Sequence, residues 1–126
     1  MLSILLVGKN PEALASLADQ LSQRDGIAVS RASSGKEAWD ILGKNSVDVV
    51  VTDEKLVDGD SLPFIKDLTK QQPLINCAMV SSLSPEDFHE ATEGLGVFMQ
   101  LPVDPGAEEA MKMMQLLESI NALLAK

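Results

Sequence analysis

The chain alternates five times between a short apolar segment and a segment with helical periodicity, and this alternation limits the folds open to it. The apolar segments are short and rich in β-branched residues, as in strands buried within a sheet. They cover residues 2–7, 27–31, 47–52, 74–80 and 96–100. Short connections favour a parallel sheet with helices on both faces. Because crossovers are right-handed, we predict an α/β, flavodoxin-like doubly wound domain with strand order 2-1-3-4-5 and five helices.

Capping signals mark the starts of most of the predicted helices. A small polar residue followed by proline, or by glutamate three positions later, suits the first turn of a helix. The signals are Asn10-Pro11, Ser34 with Glu37, Ser84-Pro85 and Asp104-Pro105. Gly43 is placed to end the second helix. We expect a loop over residues 54–60 and a last helix, helix five, over residues 105–124.

Length, charge and cysteine usage narrow the class of protein. The 126 residues suit a single domain, residues 1–126, and a 45% hydrophobic content supports a packed core. A net charge of −9 disfavours nucleic acid and anionic membranes as partners of this domain. No apolar segment is long enough to span a bilayer. The single cysteine, Cys77, excludes an intrachain disulfide, which fits a reducing compartment, and we expect a cytoplasmic protein.

Polar residues follow the predicted strands at the edge where such sheets place their chemistry. Asp53 directly follows the third strand, and Ser81 follows the fourth. A carboxylate at the position of Asp53 is a candidate phosphate acceptor or metal ligand. The predicted strand order makes the first strand its neighbour. That strand is followed by Gly8, Lys9 and Asn10, which supply no acid.

Five stretches of the chain resemble the receiver domain of two-component response regulators. In order and spacing they are residues 4–7, 29–38, 47–53, 78–82 and 101–102. The resemblance covers nearly the whole chain. It implies a role in phosphorelay signal transduction, in which a histidine kinase transfers a phosphoryl group to an aspartate. Asp53 stands at that acceptor position.

The resemblance also implies which family positions are kept and which are altered. The family uses a Ser or Thr after the fourth strand and an aromatic residue on the fifth as switch residues, and Ser81 and Phe98 match them. It holds Mg²⁺ with two acids after the first strand, where this chain has Gly8 and Lys9, or Lys9 and the next residue in an alternative register. It also uses a lysine before a proline after the fifth strand, where Leu101 stands.

The missing acids and the missing lysine predict poor phosphoryl transfer to Asp53. Such transfer depends on neutralising charge, and Mg²⁺ needs carboxylate ligands. We expect no catalytic residue, no cofactor and poor Mg²⁺ binding, with Asp53, Glu12 and Glu54 as weak metal candidates. Lys9 is expected to point at Asp53 and to favour its ionised form. The chain is therefore not expected to be an enzyme, and self-phosphorylation of Asp53 is the most that it could do.

Three functions are compatible with these residues. The first is a degenerate receiver that acts as a phosphorylation-independent protein-interaction module. The second is a working phosphoacceptor, Asp53, with a non-standard Mg²⁺ site. The third is a small-ligand sensor that uses the same crevice. Phe98 is explained as well by a place in the core as by a switch role.

Helix five is the predicted partner surface, and a histidine kinase, an output domain or a second copy of the chain are the expected partners. Its predicted buried stripe has residues three and four positions apart: Ala110, Met113, Leu117, Ile120 and Leu124. Leu116, Leu123 and Met111 lie off that stripe. Exposed apolar residues there would suit a dimer contact or a continuation into an output domain. Packing of Leu116 and Leu123 against helix one or four is the alternative.

Overall fold

The computed structural model describes the backbone of residues 2–124 and the side chains of residues 2–119. Strands and helices alternate along this part of the chain. In order they are β1 (Leu2–Val7), α1 (Ala15–Ser22), β2 (Ile27–Ala32), α2 (Gly35–Lys44), β3 (Val49–Thr52), β4 (Lys55–Leu56), β5 (Gly59–Asp60), α3 (Ser61–Gln71), β6 (Asn76–Val80), α4 (Pro85–Thr92), β7 (Val97–Leu101) and α5 (Ala107–Leu124).

The five long strands form one parallel sheet in the order β2-β1-β3-β6-β7. This is the predicted order 2-1-3-4-5, since the short strands β4 and β5 pair only with each other. In register, Val7 lies opposite Thr52, Thr52 opposite Met79, and Val80 opposite Leu101. The carboxyl ends of the strands therefore meet at one edge of the sheet. The pairing of β6 with β7 carries a register shift beside Cys77.

Two apolar layers cover the sheet, because alternate residues of a strand point to opposite faces. Ile4, Leu6, Val49 and Val51 pack with α1 and α5, and we call this layer the α1/α5 core. Leu5, Val7, Val50 and Cys77 pack with α2, α3 and α4 on the other face. Each fully buried Leu or Val stabilises the fold by about 1.5–3 kcal/mol. Burial also raises the pKa of the Cys77 thiol to about 12 by desolvation.

Two of the predicted caps are formed by side chains. Ser34 Oγ accepts a hydrogen bond from the Glu37 amide at 3.0 Å, and Ser84 Oγ accepts one from the Asp87 amide at 3.2 Å. Both hydroxyls satisfy an amide that has no partner within its helix. The predicted start of α1 and the predicted end of α2 were wrong. Regular α1 begins only at Ala15, and α2 continues through Gly43 to Lys44.

The segment expected to be a loop contains a short hairpin, β4–β5, whose turn uses Gly59 at φ +142°. Residues other than glycine rarely adopt that backbone conformation. The expected start of helix five was two residues early, since α5 covers Ala107–Leu124. Its predicted core positions Ala110, Met113 and Leu117 are buried. The side chains of Ile120, Leu123 and Leu124 lie outside the described residues. Of the helices described, none is long and apolar enough to cross a membrane.

Candidate functional site

Asp53 directly follows β3 at the carboxyl edge of the sheet. Its amide donates to the carbonyl of Val7 at 2.8 Å, which ties it to the end of β1. Its side chain is partly buried, and Oδ1 accepts a hydrogen bond from the Glu54 amide at 2.8 Å. The structure thus places Asp53 at the sheet edge where the crevice was predicted, directly after β3 and beside the segment that follows β1.

The β1 side of this crevice is closed at Gly8. A Cβ atom built on Gly8 would lie 2.9 Å from Cβ of Asp53 and 3.5 Å from Cδ1 of Leu14. Real Cβ atoms do not approach this closely, and Cβ of Asp53 cannot swing away because the backbone sets its position. The amides of Gly8 and Lys9 donate to the carbonyls of Ala32 at 3.0 Å and Lys55 at 2.9 Å. Any larger residue at this position therefore requires the ends of β1 and β3 to move apart.

Lys9 does not pair with Asp53, and the predicted ion pair was wrong. The Lys9 side chain is exposed, and the ion pairs among residues 2–119 join Lys55 to Asp60 and Glu108 to Lys112. An exposed ion pair is worth about 0–1 kcal/mol and costs side-chain entropy. Electrostatic attraction alone is too weak to hold the lysine over the crevice.

Leu101 occupies the last position of β7 and is fully buried. Its side chain packs in the α1/α5 core, and its carbonyl accepts the Ser81 amide at 3.0 Å. The backbone at this position still joins β7 to the segment after β6. The side chain, however, is part of an apolar core and offers nothing to a ligand at Asp53. Phe98, earlier on β7, is partly buried against the same core.

The segment Ser81–Ser84, which we call the β6–α4 loop, is held by one side chain from the segment after β3 and one from β7. Glu54 Oε2 accepts from the amide of Ser82 at 3.1 Å and from its hydroxyl at 3.0 Å. From β7, Gln100 Nε2 donates to the carbonyls of Ser81 at 3.2 Å and Leu83 at 2.8 Å. The Ser81 hydroxyl itself accepts the Leu83 amide at 3.2 Å. All of these hydrogen bonds form without a phosphoryl group on Asp53.

Gln100 and Ser82 were missed by sequence reasoning. The available signal for Gln100 was a lone amide near the end of an otherwise apolar strand. Such a group usually finds a hydrogen-bond partner. Ser82 carried no signal beyond its place next to Ser81.

The β4–β5 hairpin is fastened over α2 by Asp58. Its carboxylate accepts the amides of Gly35 at 2.9 Å and Lys36 at 3.1 Å, at the N-terminus of that helix. These two hydrogen bonds hold the pKa of Asp58 below its usual value. The hairpin is also closed by the Lys55–Asp60 ion pair, whose hydrogen bond raises the pKa of Lys55.

The side chains around Asp53 do not fit Mg²⁺. No three His, Cys, Asp or Glu side chains come together within the described part of the chain. Glu54 is bound to Ser82, and Glu12 is exposed before α1. Asp53 is left as a single carboxylate, so Mg²⁺ would have to take nearly all of its six ligands from water and phosphate oxygens. No chemical step is therefore assigned to a metal here.

Comparison with known proteins identifies a family and several relatives that share this fold. The family model of the response regulator receiver domain matches residues 4–116. The transcriptional regulatory protein GlrR of Escherichia coli (strain K12) is 27% identical over 106 residues, which are 82% of this chain and 24% of that protein. QseF of Escherichia coli O157:H7 matches to the same extent. The chain thus spans about a quarter of the length of these relatives.

Solved structures show the same fold at low sequence identity. The signal receiver domain of an HD domain-containing protein from Pseudomonas fluorescens Pf-5 has a TM-score of 0.82 at 19% identity, over 99% of this chain and 93% of that one. The receiver domain of the Francisella response regulator 1452 has a TM-score of 0.80 at 22% identity, over 95% and 99% of the two chains. At these identities the likeness concerns the fold alone.

Proposed function

We propose a function for this chain, which belongs to the response regulator receiver domain family. It is a receiver domain of a two-component response regulator, and we propose that it works as a protein-interaction module whose conformation does not depend on phosphorylation of Asp53. Its partners would be proteins, either a histidine kinase or an output domain. The transcriptional regulatory proteins that it resembles over a quarter of their length support an output domain as one partner.

The observation that carries this proposal is the closed position at Gly8. The family places an acidic metal ligand there, and here even a methyl group would lie 2.9 Å from Cβ of Asp53. A metal ligand at this position would therefore require the ends of β1 and β3 to move apart. Without a cation, charge that develops on a transferring phosphoryl group has little to neutralise it. The burial of Leu101 removes the second cationic group that the family uses.

The β6–α4 loop supports the same proposal. Its position is already determined by the carboxylate of Glu54 and the amide of Gln100. A loop that is held by the chain's own side chains needs no phosphoryl group to hold it. The domain would then present one surface to its partners whether or not a phosphodonor is present.

The test is intact-mass spectrometry after incubation with Mg²⁺ and acetyl phosphate, with a receiver that accepts phosphate as the positive control. We expect the mass of this chain to stay unchanged under conditions that modify the control. Stoichiometric addition of one phosphoryl group, lost in Asp53→Asn, would overturn the proposal. It would favour the alternative of a phosphoacceptor with a non-standard Mg²⁺ site.

Helix α5 is the proposed contact for a second copy of the chain. Met111 is 52% exposed and Leu116 is 41% exposed, while Met113 between them is buried. At about 100° per residue the two exposed side chains lie on opposite flanks of the helix, so each would belong to a different contact. Leu116→Glu should lower self-association in light scattering, with Met111→Glu as the matched comparison. A monomer before and after both changes would exclude the dimer.

A small-ligand sensor is the second candidate, and a cavity beside the site favours it. A space of about 390 Å³ lies between α3 and α4, with Leu62, Met79 and Phe88 among its walls and Glu54 at its rim. This volume and its largely apolar lining are in the range of small-molecule sites. Native mass spectrometry of the purified protein should reveal a bound molecule if this function holds.

A further inference from the structure

A groove separates α2 from α3 on the face of the domain away from α5. Its volume is about 460 Å³, and residues three and four positions apart on each helix line it. Such spacing places side chains on one helical face. The α2 face contributes Lys36, Trp39 and Asp40, and the α3 face contributes Pro63, Phe64 and Asp67.

Aromatic side chains from both helices meet in this groove. Trp39 and Phe64 pack edge to face, with ring centroids 5.8 Å apart and planes at 67°. Phe64 is buried, whereas Trp39 is only partly buried and lines the groove. A partly exposed tryptophan ring is the aromatic surface that cations bind best.

The charges around the aromatic pair are mostly negative. Asp40, Asp58, Asp60 and Asp67 line the groove against a single lysine, Lys36. Asp58 is occupied by the amides of α2, and Asp60 by Lys55. Asp40 and Asp67 form no ion pair with any side chain of residues 2–119. They are therefore available to an external cation.

We propose that the α2–α3 groove is a docking site for an arginine side chain of a partner protein. A guanidinium stacks on an aromatic ring and binds carboxylates with the same planar group, whereas a lysine ammonium offers only a point charge. Trp39 supplies the ring, and Asp40 and Asp67 supply one carboxylate from each helix. The chain's net charge of −9 draws a basic segment towards this surface. Binding of an arginine in this groove does not depend on the state of Asp53.

The test uses the only tryptophan of the chain as a reporter. The ¹⁵N-labelled protein is titrated at low salt with a blocked peptide that has one arginine among glycines, and the indole signal of Trp39 is followed by NMR. We expect this signal to shift together with the amides of α2 and α3. The matching lysine peptide should bind more weakly, and the matching glutamine peptide should leave the signal unchanged. Equal shifts with the glutamine peptide, or none with arginine, would overturn the proposal.

Charge variants separate docking in the groove from general attraction to an acidic protein. Asp40→Asn with Asp67→Asn should weaken arginine-peptide binding about fivefold, as expected for the loss of two exposed ion pairs. Lys36→Gln should strengthen it, because it removes a positive charge that lines the groove and repels the arginine. The control is Glu12→Gln with Glu90→Gln, which changes the net charge equally at exposed positions elsewhere. If control and groove variants weaken binding equally, the attraction is non-specific and the docking site does not exist.

Discussion

Replacing Gly8 by alanine tests whether the crevice at Asp53 has truly closed. The new methyl carbon would lie 2.9 Å from Cβ of Asp53. Carbon atoms in contact are normally about 3.5–4.0 Å apart, so one of the two strands must move by at least ~0.6 Å. Both ends are anchored, since the Gly8 amide is bonded to Ala32 and the Asp53 amide to Val7.

This overlap should cost stability, because cores that are forced to accept extra atoms lose about 1–3 kcal/mol. At this chain length the loss corresponds to a fall in Tm of roughly 3–15 °C. The matched control is Gly43→Ala, which makes the same chemical change within α2. Nothing lies within 4 Å of a Cβ atom at Gly43. That variant should gain about 0.5–1 kcal/mol, because alanine favours a helix over glycine.

Urea unfolding of the wild type and both variants measures the two effects. We predict opposite changes in the free energy of unfolding: Gly8→Ala is less stable and Gly43→Ala more stable than the wild type. If Gly8→Ala is as stable as the wild type, the strand ends can separate and the site retains room for an acidic side chain. A phosphorylation-independent receiver would then no longer follow from the packing at Gly8.

Four further changes test other parts of the site. Leu101→Lys should destabilise the domain by about 3–5 kcal/mol in urea unfolding, because the apolar α1/α5 core around this position would leave the ammonium buried without a counter-charge; wild-type stability would mean that this side chain reaches the crevice. Thr52→Val should stabilise it by about 1 kcal/mol, since the Thr52 hydroxyl is buried without a hydrogen-bond partner among the described residues. Glu54→Ala should speed amide hydrogen exchange at Ser82 about tenfold, and unchanged exchange would show that the loop is held by other contacts. Asp58 has a lowered pKa in the folded state, so its contribution is present above its unfolded pKa of about 3.9 and is lost as pH falls through the folded value; the Tm difference between wild type and Asp58→Asn should therefore shrink from pH 7 to pH 2.5.

The sheet and its working edge were predictable because they follow from local patterns of burial. Short segments of β-branched residues such as Val49–Thr52 are typical of strands buried on both faces of a sheet. The order of the strands then follows from right-handed chain connections. Asp53 and Ser81 could be placed at one edge for the same reason.

What could not be predicted depends on distant partners or on small energies. The Glu54–Ser82 bonds join residues 28 positions apart, and nothing in either local sequence requires them. The hairpin β4–β5 has only two residues in each strand, too few for a periodic pattern. The direction of the Lys9 side chain depends on small energies, because an exposed ion pair with Asp53 would be worth only about 0–1 kcal/mol, and sequence patterns do not resolve such differences.

The edge position of β7 carries a risk of misassembly. The strand Val97–Leu101 contains no charge, and the register shift beside Cys77 marks its pairing with β6. Its outer side has no strand neighbour within the described residues. Uncharged apolar edges of this kind are templates for pairing with another chain, and native proteins restrain them by twist, irregular pairing and covering helices. Loosening α4 or α5 would uncover a segment able to stack into cross-β aggregates.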